Sequence, residues 1–343
     1  CSRTYEVKET ASVPIGFGTW TETLTKAPMT DFAIDDMFDV FGYKWKGSEA
    51  SQTDATTVFD GIDVKQTSAG VWEYAGINSQ TAKYWDPSFV GYTFYAAYPY
   101  NILATAPPQT GLFVTNELAY DGSTEKLLIA KKTTVASGNN GNPVDLKFEH
   151  CGALVDFKFK KHSDLTNCAV SVTAFSLANI RTTGSFTVAS YDATTNKPVG
   201  ATVDSVPGLG WTPDNTPTVN NSAAAPYMMS STATSAAAAT AQVDLISDLV
   251  VMPQKFATGS GAQTFTIAYT ITDESNQINT YSPAAIEINS FDTTDDTQND
   301  STVGQWMPGY HYTYIITINA NSIKFSASIE NWAESSAHYY LLN

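Results

Sequence analysis

The chain has 343 residues, enough for about two domains, each with its own hydrophobic core. Its 18 Lys and Arg face 34 Asp and Glu, and the resulting net charge of -16 argues against nucleic acid or an anionic lipid surface as a partner. Only 15% of residues are charged and 12% are aromatic, a secreted-surface composition, and no apolar run reaches the roughly 18 residues of a membrane-spanning helix.

Cys1 is the expected lipid attachment point of an exported lipoprotein, and the polar run Ser2 to Thr10 suits a tether. Apolar alternation begins at Val13. Val13, Ile15 and Phe17 share one face of an extended strand, while Pro14, Gly16 and Gly18 leave the other without anchoring side chains. Such a strand suits a sheet edge and is removable. Thr25 to Pro28 is polar, and the bond between Lys26 and Ala27 is one that a trypsin-like protease reads.

Thr30 or Asp31 is placed to cap a short helix over Phe32 to Met37. Period-two patterning then predicts strands at Phe38 to Trp45, Val71 to Tyr74, Thr93 to Tyr98 and Leu127 to Ala130. The turn formers Ser137 to Pro143 mark the expected domain division, giving units 1–143 and 144–343. Leu146, Phe148 and His150 open a strongly alternating region that continues through Leu154 to Phe159. Further strands are expected at Ser185 to Ala189, Leu249 to Met252 and Thr264 to Thr270. The Ala/Ser/Thr tract Ala223 to Ala241 reads as a surface loop with at most one helical turn. Tyr310 to Ile318 and Ile323 to Ile329, joined by Asn319 to Ser322, read as a hairpin.

Chemistry-bearing motifs are sparse. The four histidines show no zinc spacing, no nucleophile elbow occurs, and Gly42 to Ser48 lacks the lysine of a phosphate-binding loop. The acidic run Asp292 to Asp300 lacks the Gly and Glu of an EF-hand. No catalytic residue, metal or cofactor is expected. Cys151 and Cys168 suit either a disulfide or two free thiols.

Several segments, in order, resemble the fimbrillins, the Mfa-like pilins of Bacteroides-type bacteria. They are Cys1, the Ile15-Gly16-Phe17 strand followed by Thr25-Lys26-Ala27-Pro28, and Phe38 to Tyr43. Tyr95 to Pro99, Leu146 to Phe157, Trp306 to Tyr314 and Ile323 to Trp332 continue the series. The resemblance implies an all-β fold of two tandem transthyretin-like β-sandwich domains. It also implies a structural or adhesive pilin subunit, exported as a lipoprotein to the outer membrane and assembled into a surface pilus. In that scheme a protease cuts at Lys26-Ala27, the strand of Val13, Ile15 and Phe17 leaves, and a strand from another pilin takes its place. The tail offers Tyr340 and Leu342 on one face, Tyr339 and Leu341 on the other, either as a donor strand or as a last strand of the second domain. The second use favours a tip or accessory subunit over a stalk subunit. Partners are then other pilins, the processing protease and a host or bacterial surface glycan or protein, with membrane contact only through the lipid on Cys1. The alternative is a surface lipoprotein that binds glycans through exposed aromatics such as Trp72, Trp85 and Tyr92.

Overall fold

In a computed structural model of the chain, the alternating segments form strands throughout. The structure describes residues 13–20, 32–48, 53–74, 81–103, 110–120, 127–135, 143–165, 167–213, 234–236, 241–282, 285–290, 304–320 and 323–331. The first eight strands are β1 (Phe17–Trp20), β2 (Met37–Lys46), β3 (Thr53–Ser68), β4 (Val71–Tyr74), β5 (Gly91–Tyr98), β6 (Leu118–Ala119), β7 (Leu128–Val135) and β8 (Val144–His150). All except β6 form one seven-stranded sheet in the order β1-β8-β7-β5-β2-β3-β4. Pairing is antiparallel except at one edge, where β1 runs parallel to β8.

Both faces of this sheet are covered, and the central strand records it: every residue from Gly91 to Ala97 is buried. One face gathers Phe38, Val40, Phe59, Phe94, Leu146 and Phe148. On the other, Ala97 and Ile129 pack with Phe186, Trp211 and Val250, side chains that come from later strands. Asp39 sits on β2 directly opposite Asp63 on β3, and both are buried. The Asp39 carboxylate accepts the backbone N–H of Asn101 at 2.6 Å.

The remaining strands are β9 (Ala153–Lys161), β10 (Ala169–Ala178), β11 (Thr183–Phe186), β12 (Val188–Tyr191), β13 (Pro198–Val203), β14 (Val206–Gly208), β15 (Trp211–Pro213) and β16 (Thr234–Ala236). After them come β17 (Val243–Val251), β18 (Gln254–Lys255), β19 (Thr264–Thr272), β20 (Ile278–Tyr281), β21 (Ile286–Glu287), β22 (Gln305–Trp306), β23 (Tyr310–Ile318) and β24 (Ile323–Asn331). A four-stranded sheet β17-β9-β23-β24 and a sheet built on β10 and β19 enclose a second core, with Phe157, Phe175, Phe265, Trp306 and Tyr314 at its centre. There the Trp306 indole N–H donates to the Tyr314 hydroxyl at 3.0 Å, so neither polar group is buried unpaired. Two three-stranded sheets, β15-β11-β6 and β12-β13-β14, carry side chains of the layer against the first sheet.

The hairpin expected near the C-terminal end is present as β23 and β24, paired from Tyr310↔Asn331 to Ile318↔Ile323. Val144–His150 lies on the C-terminal side of the division expected at residue 143, yet pairs with β7 and β1 in the first sheet. Sheet membership changes between His150 and Ala153. The helix expected over Phe32 to Met37 is absent. Asp35 takes a left-handed φ of 78° in a turn, the Asp36 carboxylate accepts the Ala33 N–H at 2.6 Å, and β2 begins at Met37. The short polar side chain competes with helix for the backbone N–H. Most of the Ala223 to Ala241 tract lies outside the described residues, but Thr234–Ala236 within it pairs as a strand with β10.

Candidate functional site

Val13, Ile15 and Phe17 lie together at one edge of the first sheet. Phe17↔Val144 to Trp20↔Lys147 form the parallel register, and the Val144 N–H donates to the Gly16 carbonyl at 2.8 Å. On the other side of the segment, Pro14 bridges Tyr84 antiparallel, the Ile15 N–H donates to Lys83 at 2.8 Å, and the Trp85 N–H donates to Val13 at 3.0 Å. Ile15 is fully buried, Phe17 is 6% exposed and Val13 is partly buried against the same core.

Phe17 makes edge-on contacts with Phe59 at 5.3 Å, Phe94 at 5.8 Å and Tyr74 at 6.4 Å. Such pairs add about 0.5–1.5 kcal/mol each beyond area burial. Gly42 makes room for them: a Cβ there would stand 2.8 Å from Phe59 Cδ2 and 3.0 Å from Phe94 Cδ1. Tyr74, on the strand at the sheet's opposite edge, donates its hydroxyl to the Ile15 carbonyl. Burial pushes the Tyr74 phenol up to about 12, so it remains a donor throughout the neutral range. The sequence gives Tyr74 no role at this seat, although the alternation of Trp72 and Tyr74 in a four-residue strand holds the signal for it, and Gly42 serves here as packing space for two rings.

Cys1, Lys26, Ala27, Tyr339, Tyr340, Leu341, Leu342 and the run Asp292 to Asp300 lie outside the described residues. Trp72, Trp85 and Tyr92 are 5%, 6% and 0% exposed and belong to the first core, so these three do not form an exposed aromatic platform. Cys151 and Cys168 carry free thiols, with Cys151 buried. His311 pairs with Asp156 at 2.9 Å across β23 and β9. Among the described residues, no group of three or more His, Cys, Asp and Glu is placed to hold a metal, and no helix is long and apolar enough to cross a membrane. A cavity of about 340 Å³ opens between Glu149 to Cys151, Lys197 to Gly200 and Met307 to Tyr310. Its carboxylate, Glu149, is paired with Lys147 at 3.4 Å and Lys197 at 3.1 Å.

Fold and edge together define an all-β protein with two sheet cores, in which a short N-terminal segment fills the edge of the first. Residues 25–332 match the family described as fimbrillin-like, and the chain belongs to that family. Among solved structures, a fimbrial protein from Bacteroides vulgatus is similar with a TM-score of 0.57 and 17% identity, covering 94% of this chain and 100% of that one. A candidate cell-adhesion protein from Bacteroides ovatus gives a TM-score of 0.47 at 16% identity, covering 94% and 98%. A fimbrial assembly protein from Parabacteroides distasonis gives 0.41 at 9%, covering 93% and 99%. Comparison with curated proteins found no match.

Proposed function

We propose that this protein is a pilin subunit of a cell-surface fimbria, anchored during export through a lipid on Cys1, and that the segment from Val13 to Trp20 is a stored strand. A protease cuts between Lys26 and Ala27, the segment leaves, and a strand from another subunit takes its seat and continues the sheet. The subunit acts at the tip or as an accessory component, and it consists of two β-sandwich domains. The observation that carries the reading is the edge position of β1, with Phe17 on it and Ile15 just before it as buried anchors. Burying two such side chains is worth about 3–6 kcal/mol, so the intact chain keeps its own segment and exchange waits for the cut. Gly16 and Gly18 leave the middle of the segment's other face without side chains, which limits what holds it once the covalent link is broken.

Replacing Lys26 is the direct test. Lys26→Ala is expected to leave the chain uncut in cells and absent from fimbriae, read by N-terminal sequencing and electron microscopy. Normal fimbriae containing a Lys26→Ala chain that still starts upstream of residue 27 would remove the cut from the mechanism.

A further inference from the structure

Among the described residues, the stored segment leaves the indole of Trp85 in its seat without a hydrogen-bond partner. Trp85 is 6% exposed and packs edge-on against Tyr92 at 4.7 Å, yet its indole Nε1 has no hydrogen-bond partner among the described residues. A buried N–H without an acceptor carries the whole desolvation penalty of that group. The backbone register decides what stands opposite. With Pro14 bridging Tyr84 antiparallel and the Trp85 N–H bonded to the Val13 carbonyl, Val13 lies directly across from Trp85. Directly opposed residues place their Cβ atoms about 4.5–5.5 Å apart on one face, within reach of a long side chain. Valine offers only methyl groups there.

We propose that Trp85 distinguishes the strand this chain stores from the strand it accepts: the incoming strand presents a carboxamide oxygen, from Asn or Gln, at the position Val13 holds. This rests on the strand-exchange reading above. A carboxamide spans the cross-strand gap and accepts the indole proton. A carboxylate would bring a charge against a wall formed by Trp85, Tyr92 and Phe94, where its desolvation is far more costly. The stored strand is therefore an imperfect occupant, and exchange gives the Trp85 indole an acceptor that it lacks among the described residues.

Two measurements test this. In the full-length chain, Val13→Gln is compared with Val13→Leu, each with and without Trp85→Phe. Val13→Gln is expected to shift the Trp85 indole N–H resonance downfield and to melt above Val13→Leu, with the gap closing in the Trp85→Phe background. An unmoved indole resonance with equal melting overturns the proposal, and this comparison stands even if Trp85→Phe does not fold. In the second measurement, a chain cleaved at an engineered protease site replacing Lys26-Ala27 is offered two peptides copying residues 13–20, one with Gln in the first position. The Gln peptide is expected to displace the stored segment at a concentration about tenfold lower, equivalent to one hydrogen bond of about 1.4 kcal/mol. Equal displacement overturns the acceptor rule alone. If neither peptide exchanges while the indole shift is present, the exchange reading fails, and the role of Trp85 in partner choice fails with it.

Discussion

The Tyr74 hydroxyl donates to the Ile15 carbonyl, which ties the last strand of the seven-stranded sheet to the segment that begins at its other edge. Both ends of the sheet therefore depend on the same short stretch of chain. Tyr74→Phe removes the donor and leaves that carbonyl without it, at an expected cost of about 1–2 kcal/mol in urea unfolding. Phe17→Ala, which empties the aromatic pocket, is expected to cost about 3–5 kcal/mol. Equal and small losses for both variants would show that the segment contributes little to the fold.

Gly42→Val tests the close approach of Phe59 and Phe94 beneath Phe17. The added methyl groups overlap both rings, and overpacking of this kind costs about 1–3 kcal/mol. The loss is expected to shrink when Phe17 is already alanine, because the rings then have space to move. Thermal melts of the single and double variants measure the coupling.

The opposed Asp39 and Asp63 predict an unusual pH dependence. Burial, with the facing Asp63 carboxyl adding to it, lifts the Asp39 carboxyl from 3.8 to about 7, although the Asn101 N–H works in the other direction. A carboxyl raised in the folded state binds more protons there than in the unfolded chain, so stability falls as pH rises from about 4 to about 7 and levels off above. Asp63→Asn is expected to flatten that limb by a few kcal/mol at most, read as melting temperature against pH. An unchanged slope in Asp63→Asn would show that the facing carboxyl adds nothing to it, and an unchanged slope in Asp39→Asn would assign the dependence elsewhere.

Cys1→Ala is expected to move the protein from the membrane fraction to the soluble periplasmic fraction of cells. Unchanged membrane fractionation would show that the anchor is not a lipid on this residue.

Deleting Tyr339 to Asn343 separates two uses of the tail. A strand closing the second sheet is lost with its packing, and the expected result is a lower melting temperature with other pilins still assembling. A donor strand would instead leave melting unchanged and stop polymerisation at this subunit.

The parts of the fold that sequence made legible are those where burial falls on one face. Val71–Tyr74 appears at the expected bounds, and the β23 and β24 hairpin follows its alternation. β3 is hidden in the sequence because its sixteen residues mix Thr, Asp and Gln with few large apolar groups, and Gly61 at φ +70° breaks its period. The turn formers before Val144 signal a turn but carry no information about which sheet the next strand joins, since pairing partners are set by distant residues. At the site, Ile15 and Phe17 were readable as a pair on one face. Their seat was not, because Gly42, Tyr74 and Trp85 reach it from three separate segments, and only the folded register sets Trp85 opposite Val13.

The parallel run from Phe17↔Val144 to Trp20↔Lys147 also has a mechanical meaning. A strand lying alongside β8 and pulled along its own axis loads its backbone hydrogen bonds together, in shear, whereas a strand lifted from one end would break them singly. A junction between subunits that reuses this seat would hold under tension along the strand and yield to peeling, so a force probe would find it strong in one direction and weak in the other.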